Sequence, residues 1–171
     1  MKKILLAGIG NIFHGDDAFG CEMIRALSAE TLPAGVTAVD FGIRSYDLAY
    51  ALNDDYDAVV LIDAAGQGKA PGTVYLMKLD PGQLSELDQG SVDPHAMNPV
   101  SVIQMAQSFG IIKTSLYLTG CEPADLGGEE GAMGLSERVQ AALPQAIQLT
   151  HSLLSELLTS NNAANLNPVT A

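Results

Sequence analysis

The chain has 171 residues, 47% of them apolar, and eight Lys and Arg stand against twenty Asp and Glu for a formal net charge of -12. That is enough apolar material to close the core of one α/β domain, which excludes a wholly disordered chain. The acidic balance repels phosphate backbones and anionic lipid, so neither nucleic acid nor a membrane is an expected partner.

The Met1-Lys2-Lys3 start faintly imitates a signal peptide, but Gly8, Gly10, Asn11 and Asp16-Asp17 interrupt the apolar run early, and no run reaches the length of a membrane span. Lys3 to Ile9 instead reads as a central parallel strand, apolar on both faces. From Asp17 the residues Phe19, Met23, Ile24 and Leu27 recur at helical spacing, with the acidic pair at the end of the helix that favours negative charge. Val36 to Val39 is a second short strand ending at Asp40, and Tyr46 to Leu52 a helix. Ala58 to Ile62 is β-branched and apolar throughout, a third strand that stops at Asp63. Thr73 to Leu79 follows the Pro71-Gly72 turn as a strand, and Asp80 to Asp93 is an ordered loop with His95 at its end. Pro99 to Phe109 has helical spacing, Ser115 to Leu118 is a last strand, and Glu122 to Met133 is an acidic, glycine-rich surface loop. A final helix starts at Ser136-Glu137, with Pro144 expected to kink or restart it. Residues 160–171 are small, polar and unpatterned, a disordered tail, which leaves 1–159 as the domain. Cys21 and Cys121, far apart and in no CxxC pair, suit buried thiols in a reducing compartment. With neither a signal peptide nor a membrane span, a soluble, cytoplasmic protein is expected, and a monomer.

Strands alternating with helices imply a single-domain, three-layer α/β/α sandwich around a mostly parallel five-stranded sheet. Such sheets bind ligands outside the carboxyl ends of the strands. Asp16, Asp17, Asp40 and Asp63 follow strands, and His95 ends the long loop; carboxylates with an imidazole suit a divalent transition metal such as nickel or zinc. Each has a plainer reading: Asp17 as a helix cap, His95, His14 and His151 as surface histidines. Asp63 is harder to dismiss, because a carboxylate at the end of a buried run costs solvation unless it faces water or an ion. Gly8-Ile9-Gly10-Asn11 is a poor dinucleotide loop, since Phe13 stands where the third glycine would fall. No organic cofactor is expected. Paired acids near the first strand with Asp63 after the third also resemble a response-regulator receiver domain phosphorylated on Asp63, although the pair lies well past the strand end and Lys113 precedes the last strand.

Gly8-Ile9-Gly10-Asn11 followed by Asp16-Asp17-Ala18-Phe19-Gly20 resembles the N-terminal signature of the nickel-iron hydrogenase maturation proteases. The resemblance continues through Asp40-Phe41-Gly42-Ile43, Val59-Val60-Leu61-Ile62-Asp63-Ala64, Ala70-Pro71-Gly72-Thr73 and Asp93-Pro94-His95 and covers nearly the whole chain to Leu158. It implies a single α/β domain that removes a C-terminal peptide from a hydrogenase large-subunit precursor after nickel insertion. It also implies that Asp17, Asp63 and His95 are the metal-contacting and catalytic residues, with nickel arriving on the substrate as a readiness signal. His14, Ala18 and Phe41 depart from the commoner family pattern, which leaves open the hydrogenase class and whether Asp40 contacts substrate or orders its loop. No nucleophilic serine or cysteine stands out, so water is the expected nucleophile, with nickel either polarising the scissile carbonyl or only positioning the substrate. A module that binds nickel or the precursor without cutting is a further alternative.

Overall fold

Alternating side chains along two fully buried central strands build an apolar layer on each face of one sheet. The computed structural model describes residues 1–84 and 98–160. In chain order they form β1 (Ile4–Ile9), a 3-10 turn (Gly15–Ala18), α1 (Phe19–Ser28), β2 (Val36–Gly42), α2 (Ser45–Ala51), β3 (Ala58–Ala64), β4 (Val74–Leu79), α3 (Pro99–Phe109), β5 (Ser115–Cys121) and α4 (Glu137–Thr159). The strand order is β2-β1-β3-β5-β4, parallel except for β4, which runs antiparallel to β5 at the edge. The expected three-layer, mostly parallel sandwich is therefore what the sequence folds into. The antiparallel edge strand sets it apart from the 2-1-3-4-5 order of receiver domains.

On one face Leu6, Val60 and Ile62 pack with Met23 and Leu27 of α1 and Leu153 and Leu154 of α4. On the other, Leu5, Val59 and Leu61 pack with Leu48 of α2 and Val102 and Ile103 of α3. Each such side chain contributes about 1.5–3 kcal/mol by leaving water. No helix among the described residues is long and apolar enough to cross a membrane.

Three strands run on past the ends that the sequence expectations gave them. β2 runs on through Asp40 to Gly42, β3 through Asp63 to Ala64, and β5 to Cys121. Asp63 pairs with Gly120 and Ala64 with Cys121, and Ile9 meets Gly42 past a register shift. The ladder satisfies the backbone of polar residues as well as apolar ones, so hydrophobicity stops short of the true ends. The first helix begins at Phe19, not Asp17, behind the 3-10 turn. Pro144 neither ends nor restarts α4, which is continuous; it lies on the exposed side, where the carbonyl left without its N–H donor can bond water. Of the expected tail, 160–171, Ser160 caps α4 with its N–H on the Glu156 carbonyl, and 161–171 lie outside the described residues.

Glycine fixes how α1 meets the sheet. A Cβ on Gly20 would lie 2.1 Å from the Ile9 carbonyl oxygen, 2.3 Å from that of Ile62 and 2.6 Å from the Ile9 nitrogen, all rigid backbone. Gly20→Ala should therefore force α1 off β1 and β3 and cost about 2–3 kcal/mol. Urea unfolding reads this as a lower midpoint at unchanged slope, and an unchanged midpoint would show that the helix can shift without loss.

Candidate functional site

β2 and β3 flank β1 on opposite sides, so the chain reverses its direction of winding at β1 and β3, and the carboxyl ends of these two strands border the crevice where such sheets hold ligands. The loop after β1 supplies Asp17 and β3 itself supplies Asp63. Asp63 is 3% exposed, and its Oδ1 has no hydrogen-bond partner among the described residues. Burial and then the nearby Asp17 charge push its pKa well above the ordinary carboxylate range, against a smaller opposing pull from the Ala64 N–H. Asp17 is half-buried. Burial raises its pKa as well, partly offset by the Asn11 N–H, which donates to Oδ2 at 2.8 Å, and by the His14 charge. Asp17 is not a helix cap: α1 has no side-chain cap at its start, and the carboxylate is spent on the loop after β1.

Two residues that the sequence reading missed frame Asp63. Tyr75 on β4 stands opposite Gly120 on β5, which stands opposite Asp63 on β3, so all three share one row across the sheet. The Tyr75 ring fills the place of the absent side chain: a Cβ on Gly120 would lie 2.2 Å from Tyr75 Cζ. The Tyr75 hydroxyl donates to the Ala65 carbonyl at 2.7 Å, and burial followed by the Asp63 charge raises its pKa. A glycine inside a strand marks a close approach, but the sequence reading ended the last strand at Leu118 and left Gly120 beyond it.

The other candidates separate from this pair. Asp16 is wholly buried and turns away, its Oδ2 accepting from the Ala124 and Asp125 N–H groups at 2.7 and 2.9 Å and its Oδ1 from the Ser136 N–H at 2.7 Å. It ties the loop after β5 to the start of α4. Asp40 is exposed and its Oδ1 accepts from the Gly42 N–H at 2.9 Å, so it orders its own turn. Cys21 is buried, as expected, with its thiol directed at the Gly10 carbonyl. Burial, then a hydrogen bond and charge from Asp40, push that thiol up to about 12, which makes it a poor nucleophile near neutral pH. Cys121 is buried too and likewise pushed up to about 12, first by burial and then by the Asp16 and Glu122 charges. His151 pairs with Glu30 at 2.8 Å, bridging α4 to the chain just after α1. His95 lies outside the described residues. Among the described residues, no three His, Cys, Asp or Glu side chains form a group that could hold a metal ion. Asp17 and Asp63 by themselves therefore do not make up a metal site among the described residues.

A family model described as hydrogenase maturation protease matches residues 21–153, a span that holds Asp63 and begins after Asp17. The hydrogenase 2 maturation protease of Escherichia coli is 28% identical over 158 residues, covering 90% of this chain and 92% of its own. Among solved structures, the hydrogenase maturating endopeptidase HybD of Escherichia coli superposes with a TM-score of 0.76 at 27% identity, over 91% of this chain and 93% of that one. A hydrogenase 2 maturation peptidase from a Thaumarchaeota archaeon gives 0.65 at 30% identity, over 90% and 98%.

Proposed function

The chain belongs to the hydrogenase maturation protease family and is a processing endopeptidase, and from that premise we propose that it removes the C-terminal extension of a nickel-iron hydrogenase large-subunit precursor once nickel has been inserted. The observation that carries this reading is the unpartnered Oδ1 of Asp63, a buried carboxylate oxygen beside Asp17 at the reversal point of the sheet. Two crowded carboxylates, each with its pKa raised, are a poor arrangement for the empty protein and a good one for a divalent cation, which neutralises both and supplies the missing partner. Nickel is cargo of the substrate: Asp17 and Asp63 offer it oxygen and His95 an imidazole nitrogen, a hard-to-borderline donor set without thiolate.

The reaction is amide hydrolysis. Water adds to the scissile carbonyl carbon, the C–N bond breaks, and one proton of that water ends on the leaving nitrogen. A carboxylate oxygen of Asp17 or Asp63 not engaged with the metal can take that proton and return it. Nickel carried by the substrate would either draw charge from the scissile carbonyl or only position it, with Asp17, Asp63 and His95 as the residues that would hold it. The partner is the precursor, and the working compartment is the cytoplasm, where thiols such as Cys21 and Cys121 stay reduced.

Mass spectrometry of the released C-terminal peptide tests this reading. Purified enzyme should shorten nickel-loaded precursor and leave nickel-free precursor intact. His95→Ala, which removes one neutral ligand, should slow processing by about 10–100-fold without abolishing it. Equal processing of the nickel-free precursor would overturn nickel as the recognition element, and stable complex formation without a mass change would make the protein a binding module.

A further inference from the structure

Asp63 stands where β3 has lost one of its two neighbours. The last β1 residue paired with β3 is Gly8, opposite Ile62, whereas on the other side Asp63 and Ala64 still pair with Gly120 and Cys121 of β5. The end of the strand is therefore held from the β5 side and open toward the crevice. Beyond it residues 66–70 are exposed, and a Cβ on Gly68 would meet nothing within 4 Å, so packing does not anchor this segment. Hydrogen bonds do. The Ala65 N–H donates to the Cys121 carbonyl at 3.1 Å, and the Gln67 N–H donates to Glu122 Oε2 at 2.6 Å. The Ala65 carbonyl accepts from the Tyr75 hydroxyl at 2.7 Å, a bond that reaches across β5 from the edge strand β4. Tyr75 can reach that far because Gly120 has no side chain: its Cβ would lie 2.4 Å from the hydroxyl oxygen as well as against the ring. Tyr75 is 4% and Glu122 8% exposed, and the Glu122 backbone is itself fixed, its N–H on the Thr73 carbonyl at 2.9 Å and its carbonyl accepting the Gly72 N–H at 2.8 Å. Two buried polar side chains, each on a rigid support, are thus directed at the short segment that follows Asp63.

We propose that Tyr75 is a positioning residue for the hydrolysis: its hydroxyl, with the Glu122 carboxylate as a second anchor, clamps the exit of β3 and so keeps the Asp63 carboxylate at the crevice with Oδ1 free for the substrate. The inference rests on the reading of Asp63 as a working carboxylate of a processing endopeptidase. Neither clamp touches the reacting atoms; both act through the backbone of residues 65 and 67. A one-sided strand end without them can swing its carboxylate toward water, and a displacement of about 1 Å is enough to cost a large factor in rate.

The test is steady-state processing of nickel-loaded precursor by the unmodified enzyme and by Tyr75→Phe, Glu122→Met and Glu122→Gln, each at a temperature where urea unfolding shows it folded. Tyr75→Phe keeps the ring in the space over Gly120 and removes only the hydroxyl. It should lower kcat by about tenfold and leave KM within about twofold, because the precursor still binds and only the carboxylate is misplaced. Glu122→Met should lose a similar factor, and Glu122→Gln, which keeps an oxygen acceptor for the Gln67 N–H, should recover most of it. Amide hydrogen exchange supplies a readout besides activity: in Tyr75→Phe the Ala65 and Gln67 N–H groups should exchange about tenfold faster while those of Val59 to Leu61 are unchanged. Unchanged kcat in Tyr75→Phe or in Glu122→Met, a rise in KM alone, Glu122→Gln as slow as Glu122→Met, or faster exchange all along β3 overturns the clamp while the endopeptidase reading stands. Failure of the unmodified enzyme to cut any nickel-loaded precursor overturns that reading, and the clamp proposal with it.

Discussion

Asp63→Asn should be more stable than the unmodified enzyme and slower by about a thousandfold in processing, the two effects coming from one buried carboxylate. In the folded chain its pKa lies well above 3.8, chiefly because burial penalises the charge and secondarily because Asp17 repels it. Between the unfolded and folded values the folded chain holds the extra proton, so stability is greatest at acid pH and declines as pH rises through that interval. Asparagine has no charge to form. At about pH 7 the variant should gain roughly 1–2 kcal/mol, a gain that shrinks as the pH approaches 4 and the native carboxyl is protonated anyway. Urea titrations at the two pH values read the difference directly. If Asp63 meets the substrate's nickel as proposed, the same change also takes a charged oxygen donor of the enzyme away from it, and a loss of about 4 kcal/mol in the transition state corresponds to the thousandfold. Asp17→Asn should move activity in the same direction with a smaller gain in stability, since Asp17 is half-buried and its carboxylate accepts the Asn11 N–H. An Asp63→Asn chain that is less stable at neutral pH would mean that the carboxylate has a favourable partner in solution, and full activity would remove Asp63 from the chemistry.

The sheet was legible because its central strands are apolar on both faces: Ile4 to Ile9 and Ala58 to Ile62 can only be covered twice, and helices are what covers parallel strands. Asp63 stands at a strand end, and Asp17, although well past the end of β1, was expected near it because the order of alternating elements brings the loop after β1 to the end of β3, where its charge reaches Asp63. What periodicity could not supply was the use of each carboxylate. Asp16 and Asp17 are neighbours in sequence, yet the 3-10 turn sends one into the protein against three backbone N–H groups and the other toward the crevice. Nothing in their residue type separates them. Tyr75 was hidden for a related reason: its role depends on a register across three strands, and Gly120 reads as an ordinary breaker until its neighbour on β4 is known.

Asp16→Ala should be the most damaging change to the fold itself. The wholly buried carboxylate receives the backbone N–H groups of Ala124, Asp125 and Ser136 and the Ser136 hydroxyl at 2.9 Å, and Ser136 in turn caps α4 through the Val139 N–H. Burial alone would raise its pKa, but the bonds from Asp125, Ser136 and Ala124 outweigh it and hold the group below 3.8. Ionised Asp16 therefore stabilises the fold above that value, and the contribution is lost as the pH falls through the lowered folded pKa. Alanine leaves the donors without an acceptor and frees the N-terminus of a 23-residue helix from the loop before it, at a cost of about 3–4 kcal/mol. For a chain of this size that is a fall of about 8–15 °C in Tm. Asp16→Asn keeps one oxygen acceptor but turns an amide N–H toward the donors, so it should recover only part of the loss. A variant with an unchanged unfolding midpoint would show that water replaces the carboxylate at all four donors.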